Sequence, residues 1–98
     1  MNLFLTVNHN QKRVNINNQA PIIDKLYPRP NQVKIYVDKK GLAYSATYSH
    51  SNLENNVNRF YIMQILQALK DKTHFFLFTR WGRVGLEGQM AEVGPITV

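Results

Sequence analysis

The stretch RFYIMQILQAL, residues 59–69, decides the fold, because it satisfies two incompatible readings. Met63, Leu66, Ala68 and Leu69 are good helix formers, whereas Phe60, Tyr61, Ile62 and Ile65 favour a strand, where branched and aromatic side chains fill a pleated surface. Local propensity leaves the two about even. The neighbouring segments break the tie. KDKTH, residues 70–74, has the composition of a turn, and HFFLFTRW, residues 74–81, is aromatic and short enough to be a buried strand that needs a partner. Pairing with RFYIMQILQA supplies one, so both segments read as strands of a hairpin.

Working outward, VKIYVD (33–38) alternates Val33, Ile35 and Val37 with Lys34, Tyr36 and Asp38, the period of a half-buried strand. DKKG then turns the chain, Gly41 supplying a positive φ, and LAYSATYSH (42–50) returns with Leu42, Tyr44, Ala46 and Tyr48 on one side. Residues 33–49 therefore read as a β-hairpin. SNLENNVN (51–58) is a loop, since Asn tolerates left-handed backbone and bonds its own backbone locally. GRVGLEG (82–88) is a glycine-punctuated turn, and QMAEV (89–93) reads as a short final strand. Upstream, residues 1–32 are rich in Asn, with a basic pair at Lys12 and Arg13 and a stiff, extended YPRP. This segment reads as an arm or linker, in which LFLTV and VNI have the composition of short strands, and residues 33–98 form the domain.

At 98 residues there is room for one core. The 44% apolar content suits a folded domain. The absence of Cys excludes disulfides, thiolate metal sites and a Cys nucleophile in this chain. No Asn-X-Ser/Thr sequon occurs, the apolar part of MNLFLTV is too short for a signal-peptide core, and no apolar run is long enough to cross a bilayer, so an intracellular protein off the membrane is expected. The net charge of +6 favours a polyanionic partner. Chemistry is thinly provided. His9, His50 and His74 are scattered, and the six carboxylates make no paired, nucleophile-activating or metal-binding pattern. The glycines after Trp81 lack the G-K-[ST] of a phosphate loop. A non-catalytic chain is expected, with no cofactor and no metal.

RFYIMQIL followed by FFLFTRWGRVGLEGQ resembles the WGR domain, the Trp-Gly-Arg module of DNA-dependent poly(ADP-ribose) polymerases. Trp81, Gly82 and Arg83 match its signature, and the similarity runs from about Ile23 to Val93. The resemblance implies a mainly β member of an α+β family, a small antiparallel sheet braced by one C-terminal helix. That helix has no counterpart before Val98. The expectation is therefore a sheet with one apolar face left open, to be covered by sequence beyond Val98, by a partner chain or by the N-terminal arm.

The resemblance also implies a function: recognition of a DNA nick or duplex end, largely through the phosphate backbone, relayed to a catalytic ADP-ribosyltransferase part in the nucleus. Trp81 is the implied stacking platform and Arg83 the link to phosphate or to a partner domain, while Gly82 keeps the space between them clear. Asn56, Asn58 and Arg59 lie where the family approaches DNA, although loop formation explains the Asn residues equally well. Arg80 reads evenly as a phosphate contact or a solvated charge at a strand end. Periodicity alone leaves open which face of residues 74–81 is buried, and a unique Trp in a small β domain is ordinarily core. Gln64 is expected to satisfy buried backbone. Two other readings stay open: a protein-interaction module in a nuclear complex with DNA contact incidental, and a general basic protein that coats nucleic acid.

Overall fold

A computed structural model describes residues 21–98. Lys12, Arg13, LFLTV and VNI lie outside the described residues. One antiparallel sheet is formed by β1 (Val33–Ile35), β2 (Ser45–Asn52), β3 (Val57–Ala68), β4 (His74–Arg83) and β5 (Gln89–Thr97). A 3-10 turn, Pro30–Gln32, leads into β1.

The ambiguous stretch is the central strand. β3 pairs with β4 from Arg59↔Arg83 to Gln67↔Phe75, and β5 adds to the far side of β4. Strand geometry wins because one turn sets Tyr61 opposite Trp81, Ile65 opposite Leu77 and Leu66 opposite Phe76 across the ladder, cross-strand pairs that an isolated helix of this length would lack. β5 runs longer than QMAEV, to Thr97, with a register shift between Phe75 and Leu77.

The other edge of β3 departs from the expected hairpin. β1 pairs with Leu66–Ala68 and β2 with Val57–Gln64, so the two lie end to end along the same edge. Residues 36–44 loop out between them. The expected turn is there, with Gly41 at φ 87 and its N–H donating to the Asp38 carbonyl, but the flanking segments pair only briefly, through a bridge at Val37↔Ala43 bracketed by Asp38 N–H to the Leu42 carbonyl and Tyr44 N–H to the Tyr36 carbonyl. Their remaining backbone groups go to β3 instead: Tyr36 N–H donates to the Ile65 carbonyl, and Ile65 N–H donates to the Tyr44 carbonyl. A closed hairpin would have left this edge of β3 unpaired, and unpaired backbone inside a sheet is costly.

Alternation sorts the side chains onto two faces. One carries Val33, Ile35, Leu66 and Phe78, which with Tyr27 make the buried core. Residues 21–32 strap across this face, so the boundary drawn at residue 32 falls inside the packed unit: Tyr27 is 3% exposed and meets Phe78 edge-on at 5.1 Å between ring centroids. The charge and proline content of the segment hid a buried anchor. Gln64, buried in the middle of β3, receives the Asp24 N–H on Oε1 and donates from Nε2 to the Ile22 carbonyl and Ser45 Oγ, satisfying strap backbone as expected. Two ion pairs complete the fastening. Arg80 forks onto both carboxylate oxygens of Asp24 at 2.9 and 2.8 Å. Arg29 pairs with Glu92, which also accepts the Tyr27 hydroxyl at 2.6 Å. Burial, reinforced by Glu92, pushes the Tyr27 phenol up to about 12. Burial works to raise Glu92 too, but hydrogen bonds from Arg29 and Tyr27 outweigh it and hold the carboxyl below its ordinary value.

The second face carries Tyr61, Met63 and Ile65 of β3 with Leu77, Thr79 and Trp81 of β4. Its β5 side chains remain open, Val93 being 55% and Ile96 45% exposed. Residues 21–32 cover the core face and leave this one bare. No helix among the described residues is long and apolar enough to cross a membrane.

Candidate nucleic-acid interface

Two adjacent rungs of the sheet build the site. The first aligns Tyr48, Tyr61 and Trp81 across β2, β3 and β4. The second, two residues further along β3, aligns His50, Arg59 and Arg83. Because side chains two apart share a face, the aromatic row and the basic row stand side by side, about 7 Å apart. Trp81 and Tyr61 stack at 5.9 Å between centroids with an interplanar angle of 20°. Trp81 is neither fully buried nor fully exposed: the indole is half-buried, stacked on Tyr61 and bordering a cleft.

These side chains, with Phe60 and Gly82, line a cleft of about 530 Å3 with no carboxylate among the described residues that border it. Like charges directly opposite in an antiparallel pair repel, so the Arg59 and Arg83 rung is an arrangement that folding alone disfavours. Arg83 is lightly held, by two 3.3 Å bonds to the backbone carbonyl and side-chain Oδ1 of Asn56. Asn56 takes a positive φ of 54 in the turn between β2 and β3, which an Asn accepts readily. Asn58 is in β3 rather than a loop: its Oδ1 accepts from Ser51 Oγ and its carbonyl from Val84 N–H. The loop of SNLENNVN contracts to residues 53–56 because the strand pairing continues to Asn52↔Val57.

Glycine sets the shape of the turn after Trp81. A Cβ on Gly82 would come within 2.8 Å of Gly88 Cα, and one on Gly88 within 2.1 Å of the Trp81 carbonyl oxygen, where φ is already 80. The two backbones therefore close against each other, which fixes the direction in which Trp81 and Arg83 project. Arg80 lies on the other face, 7% exposed, with its guanidinium on Asp24 and on the Glu87 carbonyl at 2.8 Å. Trp81, Gly82, Arg83 and Arg59 are thus brought together, Asn56 and Asn58 flank them, and Arg80 stands apart.

His50, Tyr48 and Tyr61 join the site unannounced. The signal for them was the register of β2 on β3, which the assumed hairpin of residues 33–49 obscured.

The sequence profile of the WGR domain matches residues 44–94, the segment that contains β2 to β5 up to Gly94. The chain belongs to the WGR domain family. It is 34% identical over 77 residues to poly(ADP-ribose) polymerase 2 of Arabidopsis thaliana and 36% identical over 77 residues to that of Zea mays, in each case 78% of this chain and 12% of the relative. It is 51% identical over 47 residues to the human protein mono-ADP-ribosyltransferase PARP3, 47% of this chain and 8% of that protein. The WGR chain therefore spans about an eighth of the plant polymerases it matches. In such polymerases the WGR domain is non-catalytic and in general a nucleic-acid-binding module.

Proposed function

We propose that the WGR domain of this chain recognises a DNA nick or duplex end and passes that event to a catalytic ADP-ribosyltransferase part, in the nucleus. The observation that carries the reading is the stacked Trp81 and Tyr61 pair standing beside the basic row of His50, Arg59 and Arg83, in a cleft bordered by no carboxylate among the described residues. A strand terminus exposes a base or sugar face beside a phosphate, and intact duplex does not. The rings offer the stacking surface, worth about 1–3 kcal/mol per base. Arg59 and Arg83 offer forked donors to the phosphate oxygens. Asn56 and Asn58 border the same edge and extend the contact to the neighbouring backbone. Mostly phosphate and sugar would be touched, so little base preference is expected.

Arg83 is also the residue suited to relay. Its two long bonds to Asn56 leave it ready to exchange partners, whether a phosphate or a carboxylate of the catalytic part. ADP-ribosyl transfer itself is assigned to sequence outside this domain.

The test is binding to one labelled duplex, nicked with a 5′-phosphate or sealed, across a range of salt concentrations. The expected result is tighter binding to the nicked form and a steep salt dependence, with the preference lost in Trp81→Ala. Equal affinity of the wild type for nicked, sealed and single-stranded DNA refutes break recognition and favours a general coating protein. A partner pull-down that survives nuclease yet fails in Arg83→Ala favours the protein-interaction reading.

A further inference from the structure

We infer that Arg80 is a positioning residue for Trp81, acting with Asp24 through the turn that follows the indole; the binding half of this inference rests on the nucleic-acid reading above. A buried ion pair is a poor way to stabilise a small sheet, since well-packed apolar side chains of similar volume do as well or better. Arg80 nevertheless places a charge on the core face, one residue before Trp81. What it gains is geometry. Nε and Nη2 fork onto Asp24 of the strap, Nη1 donates to the Glu87 carbonyl, and the guanidinium carbon lies 5.0 Å from the centre of the Phe60 ring. Three separate pieces of chain, the strap, the turn at residues 84–88 and β3, are thereby fixed to the residue adjoining Trp81.

The contact with Glu87 is the one that reaches the site. Glu87 precedes Gly88, whose backbone lies against Gly82 and the Trp81 carbonyl. Phe60 continues the connection, because it lines the Trp81 cleft and also a second hollow on the strap side, beside Arg80 and Glu87. Loss of the Nη1 bond frees the turn to move away from Gly82, and the indole loses its fixed backbone. A lysine keeps the charge opposite Asp24 but has no fork with which to hold the Glu87 carbonyl at the same time.

Trp81 is the chain's only tryptophan, so intrinsic fluorescence reports its surroundings alone. The experiment compares the full chain with Arg80→Lys and Asp24→Asn, well below their melting temperatures. It reads acrylamide quenching of Trp81 and the ratio of affinities for nicked and sealed duplex. Arg80→Lys is expected to change the quenching and reduce the ratio about tenfold, the loss of one charge-assisted hydrogen bond. Asp24→Asn retains the Glu87 contact and loosens only the strap end of the fork, so the same two readouts move less, about threefold in the ratio. Lower melting temperatures with wild-type quenching and a wild-type ratio in both folded variants overturn the inference. If Arg80→Lys does not fold, wild-type quenching in Asp24→Asn overturns it alone. If the wild type itself shows no preference for the nick, the break-recognition reading falls, and the quenching still decides whether Arg80 positions Trp81.

Discussion

Replacing Tyr27 by alanine tests whether the strap belongs to the cooperative core. Its ring is 3% exposed, lies edge-on to Phe78, and ends in a hydroxyl that donates to Glu92. Truncating a buried aromatic side chain to Ala costs about 3–5 kcal/mol, through lost transfer energy and the cavity left behind. Glu92 keeps Arg29 as a partner, so no orphaned carboxylate adds to the cost. Against the roughly 5–15 kcal/mol that holds an ordinary domain together, this is a large fraction. For a domain of this size each kcal/mol lowers the melting temperature by about 4–8 °C, so a fall of at least about 12 °C is expected. Tyr27→Phe removes only the hydroxyl and should cost about 1 kcal/mol. Urea unfolding followed by Trp81 fluorescence and far-UV circular dichroism measures both variants, the midpoint falling with little change in slope. If Tyr27→Ala stays within about 1 kcal/mol of wild type while Leu66→Ala costs several, the strap lies outside the core and the reasoning is refuted.

Gly88→Ala places a methyl group 2.1 Å from the Trp81 carbonyl oxygen, whereas Gly85→Ala, also at positive φ, meets no atom within 4 Å. Thermal melts should therefore show Gly85→Ala losing about 1 kcal/mol and Gly88→Ala clearly more. Trp81→Ala removes a half-buried side chain at the end of the sheet, so its melting temperature should change little while its affinity for nicked DNA falls about 5- to 150-fold. Glu92 has a depressed folded-state pKa, so its contribution is present above its ordinary value of 4.5 and is lost as pH falls through the folded value. The Tyr27 phenol is raised, so its contribution is complete below pH 10.0 and is lost as pH rises toward about 12. Unfolding midpoints measured from pH 3 to 11 should fall at both ends, and Glu92→Gln should flatten the acid limb.

Much of the sheet was legible in residues 59–81, because a turn of polar residues between two aromatic and apolar runs leaves a hairpin as the way to pair both. The pairing of residues 33–52 was not legible, for a physical reason. Alternation shows that a segment is extended but not which edge it joins, and Val33 and Ile35 would look the same in a closed hairpin or along β3. Arg80 and Trp81 illustrate the same limit at the site. Alternation places them on opposite faces, but both faces hold Phe or Leu, and only the strap of residues 21–32 determines which one is covered. That strap was concealed by its own composition: Asp24 and Arg29 are charges of the kind found in linkers, and their oppositely charged partners lie 56 and 63 residues away.

The two clamps have opposite polarity. Near its start the strap presents an acid to a base of β4, and five residues later a base to an acid of β5. Laid the other way round, it would set Asp24 near Glu92 and Arg29 near Arg80, two like-charge encounters, the second of them at a buried guanidinium. The strap thus carries its own direction of threading, as a keyed connector does, and a chain whose Asp24 and Arg29 were exchanged would have the same composition and net charge but would meet a like charge at each end when laid in the native direction.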